Sequence, residues 1–300
     1  MNNLISYINE KQIGNYKENV SFKALTTYKT GGTAKLVVYP LNVSKLQELL
    51  NYLRENNIDY KVFGNGSNIL ASDSVYNGVI IKLSNLKNMT FYKGIVEVEA
   101  GYSLVSLAND MCRRGFSGLE FACGIPGTIG GAIYMNAGAY LKDIGSIVRE
   151  VTVLDKDFKI KKLKHKDLDL GYRHSIFINN DYIILSVILK LKKGDVNYIN
   201  ALTKERKERR QNTQPLEYPS AGSVFRNPVN LYAGKLIEDS NLKGYTIGGA
   251  KVSEKHANFI VNNGNASSTD IKNLMDTVKD KVKENYNIEL KQEQELFNWE

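Results

Sequence analysis

Between Gly118 and Tyr140 the chain reads GLEFACGIPGTIGGAIYMNAGAY, its densest run of small residues, and few folds accept such a run. Gly124, Gly127, Gly130, Gly131 and Gly138 remove the Cβ where backbone turns sharply or lies against a flat ligand, and Pro126 stiffens one of those turns. Helix and strand interiors rarely tolerate that composition. A second glycine loop, Gly64-Asn65-Gly66-Ser67-Asn68, follows the apolar Val62-Phe63, so its amides can form a nest of N–H donors for phosphate oxygens. Singly, each loop is equally well a tight turn of a sheet-rich domain. Together they point to a pyrophosphate-bearing ligand. Neither loop fits the dinucleotide fingerprint, because Ile69 stands where the first would need its third glycine, and no Gly-x-x-x-x-Gly-Lys-Ser/Thr motif occurs.

At 300 residues the chain has room for two domains, each with its own core, and a hydrophobic content of 42% is that of a globular protein. Met1 to Ile13 lacks the apolar core of a signal peptide, and no apolar run reaches membrane-spanning length. Cys112 and Cys123 make neither a disulfide framework nor a zinc spacing and read as buried small residues. His165, His174 and His256 are too scattered for a metal site. These features place the protein in the cytoplasm, with no membrane partner. The formal charge of +8 is spread along the chain. Its one dense run, Lys204-Glu205-Arg206-Lys207-Glu208-Arg209-Arg210, reads as a solvated helix face, and with no aromatic interleaving nucleic acid is not an expected partner.

Periodicity predicts helices over Leu46–Leu53, Leu104–Met111, Val196–Gln211, Leu231–Asp239 and Ser268–Asn285, and strands over Leu36–Tyr39, Lys61–Phe63, Val79–Leu83, Ile95–Ala100, Val151–Leu154 and Ile183–Leu191. An N-terminal helical segment covers 1–25. Gly194-Asp195 breaks the pattern, which sets domains at 26–194 and 195–300. A polar turn bracketed by prolines, Pro219 to Pro228, follows in the second.

Five stretches in order, Thr27-Tyr28-Lys29-Thr30-Gly31-Gly32, the loop Gly64 to Asn68, Gly124-Ile125-Pro126-Gly127 through Tyr140, Tyr172-Arg173-His174-Ser175 and Ser220-Ala221-Gly222-Ser223-Val224-Phe225-Arg226-Asn227-Pro228, resemble the motifs of the UDP-N-acetylenolpyruvoylglucosamine reductase family, in its shorter subclass. The resemblance implies an α+β protein: an FAD-binding domain of the vanillyl-alcohol oxidase and p-cresol methylhydroxylase type, then a smaller substrate domain. It implies that NADPH delivers hydride to FAD, and that UDP-N-acetylglucosamine enolpyruvate is reduced to UDP-N-acetylmuramate for peptidoglycan, in a monomeric enzyme. Cofactor contacts are then expected at Tyr28, Gly64, Asn65, Gly66, Ser67, Asn68, Gly124, Ile125, Pro126, Gly127, Thr128, Gly130, Gly131, Ala132, Asn136 and Gly138. Arg173 matches the residue that faces the substrate carboxylate, Ser223 the proton donor, and Glu293 the assisting carboxyl, with Glu289 the alternative; Arg226 and Asn227 are substrate contacts. No histidine precedes His165, which leaves the N-terminal loops no histidyl link and makes FAD non-covalent. Two departures stand out: Leu141 where the family has glycine, and Gln294 where an aliphatic residue is expected.

Overall fold

Leu46, Leu49, Leu50 and Leu53 recur at helical spacing, and all four are buried along the helix Val43–Glu55, whose first turn Asn42 caps by accepting from the Lys45 amide. The same logic builds Leu104–Arg113, capped by Ser103, and Ser268–Tyr286, where Ser267 and Asp270 form a reciprocal capping box. These helices and the six strands read from spacing are present, and the mixed helix and strand content bears out the α+β class. The computed structural model describes residues 1–299. The chain divides into two units: unit 1 is Met1–Glu18, Leu36–Asn65 and Gly78–Glu208, and unit 2 is Asn19–Lys35, Gly66–Asn77 and Arg209–Glu300.

Unit 1 carries an antiparallel sheet ordered Ile160–Lys164, Val148–Leu154, Ile183–Lys190, Ile95–Glu99, Met89–Tyr92. Its apolar residues, among them Val96, Val98, Val151, Val187 and Leu189, join the helix faces in one core. Another sheet pairs Tyr60–Phe63 in parallel with Tyr76–Lys82. Cys112 and Cys123 are both buried there, their sulfurs 3.8 Å apart. Unit 2 has its own core, in which Ile271, Leu274, Met275 and Val278 of the long helix pack with Ala250, Val252 and Ile260 of a small antiparallel sheet. Its tail strand Glu295–Phe297 runs parallel to Ile69–Ala71. Among the described residues no helix is long and apolar enough to cross a membrane.

Two expectations change. Residues 14–21 of the N-terminal segment form a strand, and the glycine stretch contains a helix, Ile129–Tyr134. That helix starts because the Thr128 hydroxyl accepts from the Gly131 amide. A Cβ at Gly130 would lie 3.1 Å from the Ala100 Cβ, so glycine there lets the helix pack against backbone rather than turn. None of the five glycines named for sharp turns has a positive φ; within the stretch Asn136, Tyr140 and Leu141 do, besides Gly118.

Candidate active site

In unit 1 the glycine stretch and the Tyr172-Arg173-His174-Ser175 turn come together. Ser175 Oγ donates to the Tyr134 carbonyl at 2.6 Å, and Asn136 Nδ2 donates to the Gly171 carbonyl at 2.8 Å. Asn136 Oδ1 accepts from the Gly145 amide at 2.9 Å, so this buried amide holds the loop's shape at both ends. Arg173 itself has φ +53°, and its Nη2 donates to the Gly138 carbonyl at 3.0 Å.

Gly138 belongs to a tight hairpin, Gly138–Ala139 against Lys142–Asp143, whose two tip residues are Tyr140 at φ +55° and Leu141 at φ +58°. Such turns favour glycine and asparagine at both positions. Tyr140 is pinned from helix Val196–Thr213: its hydroxyl donates to the Arg206 carbonyl at 3.1 Å, and the Arg206 guanidinium lies 4.9 Å from its ring centroid. Arg206 therefore departs from the solvated face read for the charge run. Leu141 is fully exposed, with relative accessibility 104%, so glycine there loses no packing. Relief of a left-handed conformation is worth ~1–2 kcal/mol, less ~0.5–1 for glycine's freedom in the unfolded chain. Leu141→Gly should thus raise the melting temperature by roughly 1–4 °C. A melt at or below that of the parent would refute the strain.

The first glycine loop leaves the sheet at Phe63, and Gly64 is wedged against Thr128, whose Oγ1 would stand 2.7 Å from a Cβ. None of the amides of residues 64–68 donates a hydrogen bond to a described residue. A phosphate nest needs successive open donors of this kind. Lys82, absent from the sequence reading, donates from Nζ to the Gly64 carbonyl. Burial alone pulls its pKa down to about 8. A lone lysine closing the apolar run Val79-Ile80-Ile81 was the available signal.

In unit 2 the turn at Ser223 and the tail are stitched side by side. Phe225 bridges antiparallel to Gln292, the Glu293 amide donates to the Val224 carbonyl at 2.8 Å, and the Arg226 amide donates to the Lys291 carbonyl at 2.8 Å. Glu293 thus sits on the paired segment and Glu289 outside it, exposed. Asn258 clamps the other side: its carbonyl accepts from the Val224 amide, and its side-chain amide exchanges hydrogen bonds with the Phe225 backbone at 2.9 and 2.8 Å. Gln294, 3% accessible, accepts from the Tyr28 hydroxyl at 2.8 Å and donates to the carbonyls of Ala221 and Gly222 at 3.2 and 3.1 Å. Sequence reasoning missed both amides, since each acts through partners distant along the chain.

Gly222 takes φ +78° with nothing within 4 Å of a Cβ position, which leaves open space beside Ser223. The half-buried Ser223 hydroxyl has no hydrogen-bond partner among the described residues. Asn68 is held by the tail, its Nδ2 donating to the Glu293 carbonyl at 3.1 Å and its carbonyl accepting from the Glu295 amide at 2.8 Å. Tyr28, expected at the cofactor, is wholly buried in the core of unit 2 with its hydroxyl on Gln294, so its side chain presents no atom to a ligand. Asn227 Oδ1 accepts from the Ala233 amide at 3.1 Å and so starts a helix, while the buried Arg226 Nε has no hydrogen-bond partner among the described residues.

Comparison with known proteins adds to this geometry. Residues 34–164 match a family model described as FAD binding domain, and residues 214–297 match the model for the UDP-N-acetylenolpyruvoylglucosamine reductase C-terminal domain. The chain is 44% identical to the UDP-N-acetylenolpyruvoylglucosamine reductase of Clostridium novyi (strain NT) over 277 residues, 92% of this chain and 90% of that one. It is 40% identical to that of Bacillus pumilus (strain SAFR-032) over the full length of both. Among solved structures, UDP-N-acetylenolpyruvylglucosamine reductase from Thermus caldophilus superposes with a TM-score of 0.81 at 32% identity, covering 94% of this chain and 100% of its own.

Proposed function

Because the chain belongs to the UDP-N-acetylenolpyruvoylglucosamine reductase family, we propose a division of labour among its residues for that family's reaction. The protein is an FAD-dependent oxidoreductase that reduces UDP-N-acetylglucosamine enolpyruvate to UDP-N-acetylmuramate, a peptidoglycan precursor, with NADPH as hydride donor. The residues fit the cofactor: five amides with no acceptor among the described residues line the first glycine loop, and Gly64, where a Cβ would strike Thr128, lets that loop lie close against the start of the helix Ile129–Tyr134. When bound, FAD supplies a two-electron relay from NADPH to the β-carbon of the enolpyruvyl group.

In this reading Ser223 gives the proton to the α-carbon. The supporting observation is its hydroxyl, held on backbone fixed by Asn258 and Gln294 yet bonded to no described residue. A serine is a weak acid in water, but a donor placed in advance beside a carbanion-like centre suffices. Arg173 neutralises the carboxylate as charge builds on the enolate, with its guanidinium steered by Gly138. Glu293 assists, carried on the segment paired with Val224, which favours it over Glu289. Gly64, Asn65, Gly66, Ser67 and Asn68 hold phosphate through backbone, while Gly124 to Thr128, Gly130, Gly131, Ala132, Asn136 and Gly138 shape the flavin's wall; Arg226 and Asn227 serve the substrate.

We assign flavin binding to 26–194 and substrate binding chiefly to 195–300, in a cytoplasmic monomer that holds FAD non-covalently and has no membrane or nucleic-acid partner. The test is the visible spectrum of the purified protein without oxygen. It should be yellow, bleach with NADPH, and recolour with the enolpyruvyl sugar nucleotide. Bleaching without recolouring would sink the substrate assignment, and a protein that stays colourless with added FAD would sink the flavin reading.

A further inference from the structure

Strands Tyr60–Phe63 and Tyr76–Lys82 are parallel with Phe63 opposite Lys82, so both leave the sheet at the same end. The first continues into Gly64, and Lys82 Nζ reaches across to donate to the Gly64 carbonyl. Thr128 closes on Gly64 as well, its Oγ1 2.7 Å from a Cβ position. No carboxylate of unit 1 stands within ion-pairing distance of this ammonium, and burial pulls its pKa down to about 8. A carbonyl dipole replaces an anion poorly, and a largely desolvated cation without counter-charge lowers the stability of the chain that contains it. An anionic ligand would supply the counter-charge that the fold itself does not.

We propose that Lys82 is the counter-charge for a diphosphate, that of FAD, seated where Gly64 and Thr128 meet. NADPH and the sugar nucleotide also carry diphosphates. FAD is the choice because Gly64, Lys82 and Thr128 all fall within residues 34–164, which match the FAD binding domain, and outside 214–297. The inference rests on the flavin reading above and is independent of the roles given to Arg173, Ser223 and Glu293.

The test uses full-length protein stripped of flavin, with FAD and riboflavin titrated by fluorescence quenching. Lys82→Met should weaken FAD binding by about 10- to 100-fold, the scale of one charge-assisted hydrogen bond, and leave riboflavin, which has no phosphate, within about twofold. The flavin-free variant should melt no lower than the parent, because an uncompensated charge has gone. A structural residue would lower stability and affinity together. Lys82→Arg should keep FAD affinity within about threefold, and it carries the test alone if Lys82→Met does not fold. Parental FAD affinity in Lys82→Met overturns the proposal, as does equal loss of riboflavin. A raised KM for NADPH or for the sugar nucleotide at unchanged FAD affinity would reassign Lys82 to that ligand. Failure of the parent itself to bind FAD would instead overturn the flavin reading.

Discussion

Ser223→Ala should leave the bleaching by NADPH within about twofold of the parent and slow recolouring by the enolpyruvyl substrate about 10²- to 10⁴-fold, the range of general acid catalysis. The structure makes this substitution unusually clean to read. The hydroxyl bonds to no described residue, so its removal breaks no hydrogen bond among them, and the turn's backbone remains fixed by Asn258 and Gln294. Melting temperature and flavin content should be unchanged. A loss confined to recolouring then belongs to proton delivery and not to folding. Ser223→Cys, which keeps a donor, should recover part of the rate. Normal turnover in Ser223→Ala would remove the residue from the mechanism, and equal slowing of both phases would recast it as structural.

The second large effect is on stability. Gln294→Leu should cost about 3 kcal/mol, because a wholly buried tyrosine hydroxyl and the carbonyls of Ala221 and Gly222 lose their partner together. In a chain of this size the melting temperature should drop by roughly 6–12 °C. Burial already holds the Tyr28 phenol well above its ordinary pKa, so ionisation offers no escape from the orphaned hydroxyl. Tyr28→Phe removes that orphan, and the double variant should melt higher than Gln294→Leu alone. Additive losses would show that Gln294 and Tyr28 do not act as a unit. An unchanged melt in Gln294→Leu would show that the amide network is dispensable.

Where the chain alone was informative, one physical signal dominated locally. Leu46, Leu49, Leu50 and Leu53 sit on one helix face because nothing competes with that spacing, and two glycines within Gly64–Asn68 suffice to suggest open amides there. The glycine stretch was harder, since the absence of a side chain serves close packing at Gly130 and turning at Gly118 equally well. Strand Ile160–Lys164 was hidden by its lysines, as an edge strand with an exposed face lacks apolar alternation. Glu295–Phe297 is only three residues long and is defined by a partner far away along the chain. Gln294 looked like a departure from pattern, and its reason is Tyr28. Buried polar residues acquire meaning from their partners, which no local window contains.

The pairing of Glu295–Phe297 with Ile69–Ala71 also fixes an order of events during synthesis. Unit 2 is assembled from 19–35, 66–77 and 209–300, so its first two pieces emerge from the ribosome well before the third exists. At typical elongation rates that interval is on the order of ten seconds. Throughout it, Tyr28 and Leu70 have no core to enter, although the helices and strands of unit 1 through Glu208 can already condense. The nascent chain therefore holds Tyr28 and Leu70 tethered and without their native core until its own tail emerges to bury them.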